Sequence, residues 1–175
     1  HVHMMVWSSR LQEPYLSREG IHNIKKTLAS DIFRQEHLQI YKKQTEARDD
    51  IKASCRNRIE ALVAEIRSGK HAFSLEILAK MELLSEKLQR HKGKKVYGYL
   101  DKNTKALVKD IVKMLGADEQ ISAMYDAWHS YKCEIVRTYT DEIPDKIPLE
   151  DNEEFKSIRN AVVKSAAEIF SPSTQ

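Results

Sequence analysis

The sequence predicts a mostly α-helical chain: a multi-helix region that follows a single terminal β-strand. Three observations lead there. Only 5 glycines and 4 prolines interrupt 175 residues, and apolar residues recur at three- and four-residue steps over most of that length. The one short apolar run rich in β-branched and aromatic residues is HVHMMVW, residues 1–7. With 41% of residues apolar there is enough material for one domain with a real core, and the 31% that are charged supply solvated helix faces.

Taken in order, HVHMMVW reads as a buried strand ended by Ser8, Ser9 and Arg10. Alternation sets His1, His3, Met5 and Trp7 on one side and Val2, Met4 and Val6 on the other. A loop containing Pro14 follows, and Ser17 is placed to cap the first helix. Over residues 21–68 there is no glycine or proline. Ile21, Ile24, Leu28 and Ile32, then Ile51, Cys55, Ile59, Leu62 and Ile66, mark one long amphipathic helix or two in succession, stopped by Gly69. The stretch KKQTEARDD, residues 42–50, interrupts the apolar stripe, so the helix there either runs through solvent or breaks. A helix over residues 75–92 is expected from the cap candidate Ser74, the stripe Leu75, Leu78, Met81, Leu84 and Leu88, and Gly93 at its end. After the turn GKKVYGYL comes a helix with Leu107, Val108, Ile111, Val112 and Leu115, closed by Gly116. The next starts near Asp118, buries Ile121, Met124, Tyr125, Trp128, Tyr131 and Ile135, and ends about Tyr139. Pro144 and Pro148 make TDEIPDKIPLEDN an extended connector. The last helix, residues 152–170, buries Phe155, Ile158, Val162, Ala166 and Ile169, and SPSTQ frays.

Composition excludes several function classes. A net charge of +3 allows contact with a polyanion without requiring it. Cys55 and Cys133 are far apart and lack metal-type spacing, which argues against a disulfide framework or a zinc knuckle and fits a reducing, cytoplasmic setting. No apolar run approaches the ~18 residues of a membrane span, and no leader pattern is present. The sequence contains no glycine-rich phosphate loop, no GxSxG and no HExxH. It opens on His1 rather than Met, and sequence upstream is expected.

His1 and His3 have ligand character, because strand alternation aims both imidazoles to one side, where a divalent ion could be gripped. The structural alternative, two histidines close by accident, stays open. His22, His37, His71, His91 and His129 lack i, i+4 partners and read as solvated or satisfied in the core. Tyr125, Trp128, Tyr131 and Tyr139 could present a stacking surface, but their spacing favours a packing stripe. Lys94, Lys95, Tyr97 and Tyr99 form either an exposed basic and aromatic loop able to touch a phosphate backbone or a plain inter-helix turn. Lys42, Lys43, Glu46, Arg48, Asp49 and Asp50 mix signs and read as a solvated face.

The runs HVHMMVWSS, YLSREGI and IFRQEHLQIYKKQTEARDD resemble the segment of MobL-type relaxases that follows their HUH signature, the histidine, hydrophobic, histidine strand. GKKVYGYL, KALVKDIV and AWHSYKCEIVRTYTDEIPDKIPLEDNEEFKSIRNAVV are similar to the helical region behind that family's catalytic domain, in the same order, to about residue 165. The resemblance implies an enzyme that nicks one DNA strand at a plasmid or conjugative-element origin of transfer through a tyrosyl-DNA intermediate. It implies three metal-ligating histidines, two of them His1 and His3, around a divalent Mg, Mn or Zn ion. The third histidine and the nucleophilic tyrosine are then expected upstream of residue 1, leaving this chain inactive alone. An asparagine frequent in the wider class a few residues past the second histidine is missing, since Val6, Trp7, Ser8 and Ser9 stand there. The orientation of the ligands must then come from other groups.

The expected organisation is therefore residues 1–16 as the last strand and loop of an α/β HUH relaxase domain, 17–170 as a helical accessory region, and 171–175 as a disordered tail. Arg10, Arg18, Lys25, Lys26, Lys94 and Lys95 are the candidate contacts to single-stranded origin DNA, with relaxosome or coupling proteins as further partners and no membrane. The competing reading is a non-enzymatic helical module that binds DNA or protein. A histidine-triad nucleotide hydrolase is disfavoured, because Met5 stands where its third histidine belongs.

Overall fold

A computed structural model describes residues 17–32, 34–69 and 74–169. It contains six helices, α1 (Arg18–Ile32), α2 (Arg34–Ser68), α3 (Leu75–Arg90), α4 (Lys102–Gly116), α5 (Glu119–Arg137) and α6 (Lys156–Glu168), with 3-10 turns at Tyr97–Tyr99 and Glu153–Phe155. No strand occurs among the described residues, and the expected opening strand lies outside them. None of the described helices is long and apolar enough to cross a membrane.

The core is a bundle in which α6 touches α2, α3 and α4 while α2 runs along α5. Each helix contributes one stripe. Ile51, Cys55, Ile59 and Leu62 of α2 meet Met81, Leu84 and Leu88 of α3, Val108, Ile111 and Leu115 of α4, and Ile121 and Trp128 of α5, all buried in one cluster. Phe155, Ile158, Val162 and Ala166 of α6 complete it. The aromatic residues of α5 belong here. Tyr125 stacks on Trp128 with ring centroids 5.4 Å apart, and the Phe155 ring stands edge-on to both. Such pairs add ~0.5–1.5 kcal/mol each beyond the area they bury. The packing reading of Tyr125 and Trp128 therefore holds, whereas Tyr131 and Tyr139 lie only half-buried at its margin.

The 35 residues of α2 continue unbroken through residues 42–50, so the helix does not break there; nor does it leave the bundle, since Ala47 packs against the core and Lys43, Glu46 and Asp50 line a shallow groove with Met124, Ala127 and Tyr131 of α5. That stretch has no glycine or proline, and Lys42 pairs with Glu46 one turn on. At about 1.5 Å per residue α2 is ~50 Å long, and its stripe of fully buried residues begins at Ile51. Before Ile51 no described side chain of α2 is buried. α1 buries only Ala29, and Ile21, Leu28 and Ile32 of the apolar stripe read from the sequence are exposed.

The helix ends follow local chemistry. The Ser17 hydroxyl accepts from Gly20 N–H at 3.0 Å. Asp101 and Asp118 cap α4 and α5, each accepting two backbone N–H bonds. Thr104 also donates its hydroxyl to Asp101, which holds that carboxyl below its usual range. Gly69 ends α2 with φ +65°, the left-handed region that a side chain disfavours. Four expectations shift. The Ser74 side chain makes no capping bond. α3 ends at Arg90, with His91 already extended, and Leu75 is exposed because Ile77 takes the buried position. The last helix begins at Lys156 because Asn152 first caps the 3-10 turn, its side-chain oxygen accepting from Glu154 N–H.

The proline connector is extended, as Pro144 and Pro148 require, and is fastened to the bundle. Tyr125 donates its hydroxyl to the Ile147 carbonyl and accepts from the Asn152 amide at 2.9 Å. Leu149 is buried beside Gly116, where an added Cβ would come within 3.2 Å of the leucine side chain.

Candidate nucleic-acid interface

His1, His3 and Arg10 lie outside the described residues. The other predicted contacts fall into two separate places. Arg18, Lys25 and Lys26 are exposed on α1, and Lys94 and Lys95 are exposed between α3 and α4. None of these five is held in an ion pair among the described residues.

Arg18 and Lys25 line an open groove of about 640 Å³ between α1 and residues 137–142. Arg137 adds a third cation, but Asp141 and Glu142 stand in the same lining, and Ile21, Leu28 and Ile32 make much of the wall apolar. His22 meets the Tyr139 ring edge-on at 5.4 Å. Mixed charge makes this groove a poor phosphate track. Lys26 is not part of it.

The turn between α3 and α4 has a different character. Residues 87–105 hold seven basic side chains (Lys87, Arg90, Lys92, Lys94, Lys95, Lys102 and Lys105) and one acid, Asp101, a local charge of +6 in a chain whose total is +3. The remainder of the chain is net acidic. The lone acid is occupied, since both carboxylate oxygens accept bonds at the α4 cap.

The turn is also tied down. The Tyr97 N–H donates to the Asn160 side-chain oxygen at 3.1 Å, and Lys105 Nζ donates to the Gly98 carbonyl at 2.9 Å. The half-buried Tyr97 ring lies with the Arg159 guanidinium 5.1 Å from its centroid and the Lys105 ammonium at 6.0 Å. Leu100 is buried in the core cluster. Tyr99 is left 66% exposed, with Lys94 Nζ 5.7 Å from its ring centroid.

Sequence reasoning picked out Lys94 and Lys95 but missed Lys105, Arg159 and Asn160, which hold the turn in place. Asn160 had no signal, because its partner is 63 residues away. Arg159 had one: it falls four residues after Phe155 and four before Val163, on the buried face of α6, and is itself only 2% exposed. Its guanidinium donates to the Glu150 carbonyl at 2.7 Å and to the Glu153 carboxylate.

Among the described residues no group of three or more His, Cys, Asp or Glu side chains could hold a metal ion. Among the described residues one histidine meets a cysteine: His129 and Cys133, one helical turn apart at 3.5 Å, so His129 does have an i, i+4 neighbour, contrary to the sequence reading. Tyr125 is unsuited to attack a phosphate. Burial pushes its phenol above the usual value, and its hydroxyl is engaged on both sides.

The family described as MobL relaxases matches residues 1–172, which takes in the His1–His3 pair, the basic turn and α6. The chain belongs to the MobL relaxase family. No match emerged among curated proteins, and none among solved structures. In this MobL relaxase chain the described residues thus offer a helical bundle and an anchored basic turn, and the paired histidines lie before α1.

Proposed function

We propose that this chain is part of a DNA relaxase that cuts one strand at an origin of transfer through a tyrosyl-DNA intermediate. The observation that carries the reading is the family match over residues 1–172. In it, residues 1–16 are the edge of the catalytic domain and 17–170 an accessory region that braces that domain and contacts DNA.

His1 and His3 are two ligands of a divalent ion, Mg, Mn or Zn. Their histidine, hydrophobic, histidine order inside the matched span supports that assignment. When bound, such an ion polarises the scissile phosphate and offsets charge that develops there. The chain's own contribution is to hold single-stranded DNA: Lys94 and Lys95 bond to phosphates and fix the register of the strand, while Arg10, Arg18, Lys25 and Lys26 are secondary contacts, since Asp141 and Glu142 share the groove that Arg18 and Lys25 line. Relaxosome or coupling proteins are the partners that the remaining helical surface would meet. Alone, the chain binds DNA without cutting it.

The test is nicking of a supercoiled plasmid that carries the cognate origin. In the intact relaxase, His1→Ala and His3→Ala should each abolish nicking while leaving binding of single-stranded DNA in place. Full nicking activity with both histidines replaced would refute the assignment and leave a helical binding module as the better reading.

A further inference from the structure

We propose that the Tyr97–Tyr99 turn is a base-stacking platform for single-stranded DNA, in which the Tyr99 ring receives a base and Lys94 and Lys95 receive the flanking phosphates. This rests on the relaxase reading and adds to it the residue that selects unpaired strand.

The charge distribution is the first support. Basic residues at a helix C-terminus need no ligand, because they complement the helix dipole, and that accounts for Lys87 and Arg90 in the last turn of α3. It does not account for the rest. Lys94 and Lys95 stand beyond the end of α3, and Lys102 is the first residue of α4, the end where a cation is disfavoured. None of the three has an ion-pair partner among the described residues. A local excess of positive charge that the fold leaves uncompensated fits a polyanion.

Tyr99 is the second support. Tyr125 and Trp128 of α5 and the neighbouring Phe155 are buried against one another, whereas Tyr99 stands 66% exposed. The Lys94 ammonium approaches at most one of its faces. An aromatic face set among unpaired cations is the arrangement that binds single strands with little regard to sequence: bases stack on the ring and phosphates meet the lysines. A duplex keeps its bases stacked internally and offers the ring nothing comparable.

The third support is rigidity. Three anchors hold the turn before any ligand arrives: Tyr97 N–H on Asn160, Lys105 on the Gly98 carbonyl, and Leu100 in the core. Little ordering is left for binding to bring about, so less of the contact energy is lost on association.

The experiment uses the whole 175-residue chain, a short fluorescein-labelled oligothymidine, and a duplex of the same length, followed by fluorescence anisotropy across a salt series. The chain should bind the single strand more tightly than the duplex. Tyr99→Ala should weaken single-strand binding about five- to hundred-fold, and Tyr99→Phe should retain it, both with an unchanged melting temperature since the side chain is exposed. Lys94→Gln with Lys95→Gln should reduce the slope of log affinity against log salt by about 1.4, roughly 0.7 per phosphate contact. Unchanged binding in Tyr99→Ala, a preference for duplex, or no binding by the intact chain each overturns the platform. The nicking assay with His1 and His3 replaced reports on the relaxase reading separately, so either idea can fail without the other.

Discussion

Replacing Arg159 probes the link between the bundle and the basic turn. Its side chain is 2% exposed on α6 and joins three parts of the molecule: the Glu150 carbonyl of the connector, Glu153 of the 3-10 turn, and the face of Tyr97. In Arg159→Ala the Glu150 carbonyl loses a charge-assisted hydrogen bond at 2.7 Å, about 1.5–3 kcal/mol. Two methylene groups of the buried stem vanish, at ~0.8 kcal/mol each. The Glu153 side chain is 77% exposed and simply rehydrates, so that ion pair adds little. The expected loss is about 3–5 kcal/mol. At ~2–4 °C per kcal/mol for a chain of this size, the melting temperature should fall roughly 10 °C. Urea unfolding of the intact chain measures the first quantity and a thermal melt the second. Hydrogen exchange at the Tyr97 amide should accelerate, because its acceptor Asn160 neighbours the substituted residue. Arg159→Met keeps most of the stem and removes a buried charge, so it should cost less than about 2 kcal/mol. If Arg159→Ala cost under about 1 kcal/mol, or Glu153→Gln cost as much as Arg159→Ala, the ranking of these contacts would be wrong.

Asp118→Ala should cost about 1 kcal/mol by removing the α5 cap, since its carboxylate accepts from Gln120 and Ile121 and also meets Arg58; urea unfolding checks it, and Asp118→Asn should restore part of the loss. The Cys55 thiol, pushed up to about 12 by burial and then by the charge of Asp118, should resist thiol reagents at pH 8 in the folded chain and react once urea unfolds it. A thiol whose folded value lies above its unfolded one favours the folded state fully below about pH 9 and loses that contribution as pH rises toward 12. Replacing Cys55 with Ala should therefore flatten the alkaline fall in stability over that window. Tyr125→Phe should cost about 1 kcal/mol, because the buried Asn152 amide loses its acceptor and the Ile147 carbonyl its donor; a melt of the variant and of Tyr125→Phe combined with Asn152→Ala separates the two contributions.

Of the candidate site, the sequence showed the components without their arrangement. Lys94, Lys95 and Tyr99 were legible because glycine and lysine between two helical stripes mark an exposed turn. What holds the turn came from α6, and no local pattern ties residue 97 to residue 160. The groove under α1 was not legible: Ile21, Leu28 and Ile32 keep helical spacing, but periodicity reports which face of a helix is apolar and not whether anything covers it. The aromatic run of α5 shows the reverse: spacing identified the stripe, and only the meeting of Tyr125 and Trp128 with Phe155 showed which rings were sealed inside.

By itself the sequence determined the helices, several of their ends and the side of each that is apolar, because these depend on residues within one or two turns of each other: the hydroxyl of Ser17, the carboxylate of Asp118, the left-handed backbone of Gly69, and the prolines at 144 and 148. It also determined the family, through the order of its motifs along the chain. The tertiary structure decided that α2 runs unbroken along α5 through its charged stretch, that Arg159 is buried, and that the excess positive charge is mounted on a fixed turn. Each of these depends on which helix faces which, and that is settled by the collective packing of stripes far apart in sequence.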